Sequence, residues 1–159
     1  MKLLVAIFFL LINQMIFSQS NKTSIYNYKT PKGKIVIIEI DTTKYKPDGS
    51  KDFLYKLYNE EIDASIFVNE KIMKPNDTIN KFEKAKIGFE FTDLGIVNGE
   101  QTITLKNVRK EKDRTYVNFL YIKFLLLNEI LNFAVTIPEN YFEAYKEEFI
   151  KSAKSMKLK

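Results

Sequence analysis

Residues 116–137 read YVNFLYIKFLLLNEILNFAVTI, and residues 138–153 continue PENYFEAYKEEFIKSA. The first stretch is two runs of β-branched, aromatic and aliphatic residues with Asn128 and Glu129 between them. That composition predicts two long strands, 116–126 and 130–137, joined by a turn. Their apolarity is nearly continuous, so both are expected to be central strands covered on both faces. Pro138 ends the sheet. A helix is expected over 141–153, because Phe142, Tyr145, Phe149 and Ala153 recur at the spacing of one helical face. Glu139, Glu143 and Glu147 come early while Lys151 and Lys154 come late, an order that complements the helix dipole.

The same reading extends backwards. Asn98-Gly99 predicts a tight turn, with alternating Thr, Ile, Thr and Leu over 101–108 beyond it, and 109–114 is expected to be a charged turn. Strands are expected over 25–29, 34–40 (KIVIIEI), 64–72 (ASIFVNEKI) and 89–94, with turn residues at Pro31-Lys32-Gly33 and Pro47-Asp48-Gly49. Residues 53–59 (FLYKLYN) fit a short helix or a strand. A second helix is expected after Pro75, with Asn76 or Asp77 as its cap and Gly88 ending it.

The 159 residues fit one domain. At 45% hydrophobic and 28% charged, the chain falls in the ordinary globular class. It contains no Cys and no His. That removes disulfides, Ser-His-Asp triads, Cys-His dyads and nearly all zinc sites. Carboxylates, Lys, Tyr, Ser, Thr and two arginines, Arg109 and Arg114, are left to carry any chemistry.

The N-terminus predicts export. Lys2 precedes an apolar run over 3–12 (LLVAIFFLLI) that Asn13 and Gln14 end. Ten residues suit a signal peptide and fall short of the ~20 a membrane helix needs. Cleavage is expected near Ser20, giving a signal peptide over 1–20 and one domain over 21–159, periplasmic or secreted. An uncleaved anchor is the alternative, since Met15, Ile16 and Phe17 lengthen the apolar stretch.

From about residue 60 the order of elements resembles the superfamily of the PsbP extrinsic subunits of photosystem II, the DcrB-like envelope proteins and the yeast Ran-binding import factor. The residues carrying the resemblance are 64–68 (ASIFV), 77–84, the turn 96–100 (IVNGE) and the closing 149–157 (FIKSAKSMK). The resemblance implies an α+β fold, a mostly antiparallel sheet with helices packed on it as a PsbP-like α/β/α sandwich. It also implies an assembly or binding protein, and it carries no catalytic residue onto this chain.

Three constellations stand out. Glu60, Glu61 and Asp63 form an acidic cluster that would suit calcium or magnesium, although an exposed turn is the commoner meaning of such a cluster. Glu39 and Asp41 share one side of a strand end and would suit half of a glycosidase pair. Basic residues gather at Lys106, Arg109, Lys110, Lys112 and Arg114, and again at Lys151, Lys154, Lys157 and Lys159, with a sequence pI near 9.2. Glu111 and Asp113 interrupt the first group, and only two basic residues are Arg, the better phosphate fork. Nucleic acid is therefore not expected. No catalytic residue, cofactor or metal is assigned. The expected function is a non-enzymatic domain that binds another protein, such as an envelope assembly factor or an immunity protein, with Arg109, Lys110, Lys112 and Arg114 as its contact residues. The alternatives are a carboxylate-dependent hydrolase and a binder of anionic lipid or polysaccharide.

Overall fold

The computed structural model describes residues 23–29, 34–48, 56–72, 88–125 and 129–159. The expected signal peptide, the helix expected after Pro75 and the turn at Pro31-Lys32-Gly33 lie outside these residues. In chain order the elements are β1 (Thr23–Lys29), β2 (Ile35–Asp41), β3 (Lys46–Pro47), β4 (Lys56–Asn59), β5 (Ala64–Ile72), β6 (Glu90–Val97), β7 (Glu100–Glu111), β8 (Arg114–Phe124), β9 (Glu129–Pro138), α1 (Glu139–Ser155) and β10 (Lys157–Leu158).

Seven strands form one sheet in the order β3-β4-β5-β9-β8-β7-β6, and three form a second in the order β1-β2-β10. Every pairing in both is antiparallel. This corrects the α+β expectation. The described residues are mainly β, with two sheets and one helix. The layer on one face of the large sheet is shared by α1 and the small sheet, so it is not purely helical. The reason lies in β2. Val36, Ile38 and Ile40 of β2 all face inward at 0–1% exposure, and a strand with one apolar face fills a layer as well as a helix does.

The main core lies between that layer and the large sheet. Ala64, Ile66 and Val68 of β5, the odd-numbered residues 131–137 of β9, and Val117, Phe119 and Tyr121 of β8 meet β2 and the helix residues Phe142, Phe149, Ala153 and Met156. Phe119 and Phe142 have ring centroids 5.7 Å apart, and Phe149 lies 6.3 Å from both Tyr45 and Tyr145. The opposite face carries a smaller cluster, Ile103, Leu105, Ile122 and Ile130. Two apolar faces explain why β8 and β9 read as nearly continuous hydrophobic runs.

Lys123 interrupts the run of β8 and is buried, its side chain 2% exposed. Its ammonium donates to the carbonyl oxygens of Lys154 (3.1 Å) and Met156 (2.7 Å) and pairs with Glu100 at 3.2 Å. A cation among the last carbonyls of a helix satisfies acceptors that have no partner within the helix. At the end of the sheet near residue 130, Lys34 reaches Glu129 at 2.6 Å and the buried Glu70 at 3.3 Å.

Candidate functional site

The β7–β8 hairpin is longer than its charge pattern suggests. The two strands stay paired out to Glu111↔Arg114, so only Lys112 and Asp113 form the turn, with Lys112 at φ 50°. Four of the six residues expected as turn are strand. The hairpin also outruns its neighbour, because β6 pairs with β7 only as far as Glu90↔Lys106. Residues beyond Asn107 therefore project past the edge strand.

At the root of this projection the turn between β4 and β5 brings Asp63 against β8. Asp63 sits at φ 52°, a left-handed conformation that Asp tolerates better than most residues. Its carboxylate accepts hydrogen bonds from the hydroxyls of Tyr58 (2.7 Å) and Tyr116 (2.8 Å) and from the Arg114 guanidinium (3.2 Å). The Tyr58 hydroxyl is the largest influence on its acidity. With Tyr116 and Arg114 it outweighs the opposing effect of burial and holds the carboxyl below the usual carboxylate range. The Tyr58 phenol is pushed up, chiefly by the same bond.

A cleft of about 620 Å³ opens beside this group, between Glu60, Glu61, Asp113, Arg114 and the first turn of α1 at Glu139 and Tyr141. The acids expected as a metal cluster thus share a cleft wall with Arg114, and the Asp63 oxygens are already bonded to side chains. Among the described residues no group of three acids is arranged to hold a metal ion.

The four expected contact residues divide into two pairs. Arg109 is bound to Glu111 at 2.9 Å and Arg114 to Asp63 at 3.2 Å. Lys110 and Lys112 are exposed, and among the described residues neither has an ion-pair partner. They are the hairpin's unspent charge. The second basic group stays in solvent, with Lys151, Lys154, Lys157 and Lys159 all exposed.

Glu39 and Asp41 line a separate groove of about 280 Å³ with Lys44, Glu147, Glu148 and Lys151. Burial alone would raise the Asp41 carboxyl. The hydroxyl and amide of Thr43 and the nearby Lys44 charge reverse that and hold it below its ordinary value. Glu148 is paired with Lys44 at 3.1 Å. A carboxyl held low keeps no proton to donate near neutrality, so Asp41 is unsuited to general acid work. Sequence reasoning missed the Tyr58–Asp63–Tyr116–Arg114 group and the buried Lys123. The first joins two distant segments, 58–63 and 114–116. The second is one polar residue inside an apolar run, and that lone interruption was the available signal.

No protein-family model matches the sequence, and no curated protein matches it. Among solved structures the chain is similar to the solution structure of cyanobacterial PsbP (CyanoP) from Synechocystis sp. PCC 6803. The TM-score is 0.55 at 12% identity, over 89% of this chain and 96% of that one. An identity this low establishes architecture, and the architecture is that of a PsbP-like fold.

Proposed function

We propose that this chain is an exported, non-enzymatic domain that binds another protein through the tip of its β7–β8 hairpin. The observation that carries the reading is the pair Lys110 and Lys112, exposed and uncompensated on a hairpin that projects beyond β6. A neighbouring cation bound in an internal pair, such as Arg109 or Arg114, contributes little net field. Two unpaired lysines at a projecting tip attract an acidic surface and speed its encounter.

Two further points support it. Among the described residues the two carboxyls displaced from their ordinary acidity, Asp41 and Asp63, are displaced downward, the opposite of what a proton-donating hydrolase needs. A PsbP-like fold also suits a binding or assembly role, the role the superfamily resemblance implies. Export rests on the apolar run over 3–12 and the small residues near Ser20.

The test is affinity capture from the envelope fraction of a native host, with identification of the bound protein, using the chain and a Lys110→Glu/Lys112→Glu variant. The captured protein should be lost or much reduced with the variant, while its melting curve stays nearly unchanged. Equal capture by both would remove the hairpin from the contact. Turnover of a phosphoester, glycan or peptide, abolished by one carboxylate substitution, would overturn the non-enzymatic reading. Intact-mass measurement decides export: a mature chain beginning near residue 21 is expected, and a mass that retains residues 1–17 would mean an anchor.

A further inference from the structure

Among the described residues the outer edge of β7 beyond Lys106 is unpaired, and this gives the contact a definite form. We infer that Val108 and Lys110 are a docking edge for an extended, acidic segment of the partner, which adds as a strand in line with β6. This rests on the hairpin contact proposed above and specifies its geometry.

The register sets which backbone groups are free. A two-residue turn at Lys112-Asp113 makes Glu111 and Arg114 the first pair to exchange both backbone hydrogen bonds. Odd-numbered residues of β7 therefore bond to β8, and even-numbered ones turn their N–H and C=O to the opposite edge. The turn at Asn98-Gly99 gives the same parity from the other end, since Glu100 is the first residue to bond β6. Along that edge β6 serves β7 up to Lys106 and then stops. Gly88, at φ +93°, lies two residues before the last paired residue, Glu90. An L side chain rarely adopts that conformation, so the extended backbone of β6 does not continue through it. Val108 and Lys110 are left with both backbone groups facing outward, and among the described residues nothing bonds to them. The next edge, β6 itself, is broken by the register shift between Asp93 and Gly95. No shift interrupts β7 from Arg109 to Glu111, where it stays paired to β8.

The side chains specify the occupant. Val108 is 49% exposed, an apolar residue on an otherwise charged tip. Lys110 and Lys112 are the uncompensated cations beside it, since Lys106 pairs with Glu90 and Arg109 with Glu111. An antiparallel strand would place one residue opposite Lys110 and the next but one opposite Val108, while the residue two before the first passes beside Lys112 in the turn. Two acids followed by an apolar residue at alternate positions satisfy all three. Main-chain bonds then supply attachment, and alternate side chains supply selectivity.

The probe is the N-acetylated, C-amidated peptide TETETVT, titrated into the ¹⁵N-labelled full chain, with TKTKTVT as its charge-reversed control. At saturation the amides of Val108 and Lys110 should exchange at least about tenfold more slowly. The amides of Arg109 and Glu111, already bonded to β8, should not change. The lysine peptide should not bind, and added salt should weaken the acidic one. Val108→Pro removes one outward N–H that the native sheet does not use, so the fold should persist while peptide binding is lost. No binding of TETETVT at millimolar concentration, or binding without amide protection, or binding that survives Val108→Pro, each overturns the strand edge. The envelope partner separates the two claims. If Val108→Pro captures it normally while Lys110→Glu/Lys112→Glu does not, the hairpin contact stands and strand addition falls. If neither substitution matters, the hairpin contact itself has failed.

Discussion

Single residues at the hairpin root carry more than their sequence signal suggests. Asp63 reads as one acid in a turn, yet it holds two tyrosines and an arginine from β4 and β8. Its folded acidity lies below the unfolded value, so it adds stability that is fully present above the ordinary carboxylate range. That stability is lost as pH falls through the lower, folded value. Asp63→Asn keeps a residue that tolerates φ 52° and removes the charge together with one of the two acceptor oxygens. Because the group is partly exposed, the loss at neutral pH should be about 1 kcal/mol. In urea denaturation the gap to the parent should close below about pH 4. A gap independent of pH would mean that the carboxylate charge is not what binds Tyr58 and Tyr116. Lys123 is the sharper case, because its ammonium meets the carbonyls of Lys154 and Met156 at the helix end in a nearly closed site. Lys123→Met leaves those acceptors and Glu100 unpaired, and should cost about 3 kcal/mol in the same assay. A cost under about 1 kcal/mol would indicate that water replaces the ammonium freely.

Among elements, those with a strong period were legible and those fixed by distant partners were not. Residues 64–72 alternate and form β5 over the same span. Asn98-Gly99 forms its turn with φ 55° and 85°, the positive pair that a two-residue hairpin turn requires. The ambiguous stretch near residue 56 resolves as β4, because Leu57 and Asn59 turn inward beside β5. The charged run at 109–114 misled for a physical reason. Edge and hairpin residues reach water on several sides, so charge marks exposure there and not the end of a strand. For α1 the apolar spacing was sufficient: Phe142, Phe149 and Ala153 are buried and Tyr145 is half-buried. Phe149→Ala should therefore cost about 3–5 kcal/mol, whereas Lys151→Ala, on the exposed face, should change stability by less than about 0.5 kcal/mol. Similar small effects from both in urea would mean that the helix does not pack through this face.

At the scale of the whole molecule, the feature least visible in the sequence is how the closing segment meets β2. β10 is two residues long, with no hydrophobic period to announce it, and it pairs Lys157 with Ile37 and Leu158 with Val36. The Lys159 amide adds a bond to the Ile35 carbonyl at 2.8 Å, and the Ser155 hydroxyl accepts one from the Glu39 amide. Such pairings across most of the chain length cannot be read from local pattern, because the closing segment contributes only backbone. They nevertheless decide whether β1 and β2 behave as part of the core or as a separable flap. β2 is held from inside by apolar side chains, along one edge by β1 and along the other by β10 and the Ser155 hydroxyl. Deleting residues 157–159 removes the β10 pairing and leaves the apolar contacts of Val36, Ile38 and Ile40. The expected loss is about 1–3 kcal/mol, the value of the few backbone bonds removed. It should fall unevenly: amide exchange in β2 should accelerate through local opening, while the centre of β8 and β9 keeps the protection set by global unfolding. Equal acceleration in β2, β8 and β9 would show instead that the small sheet opens only when the whole domain does, making the two sheets one cooperative unit.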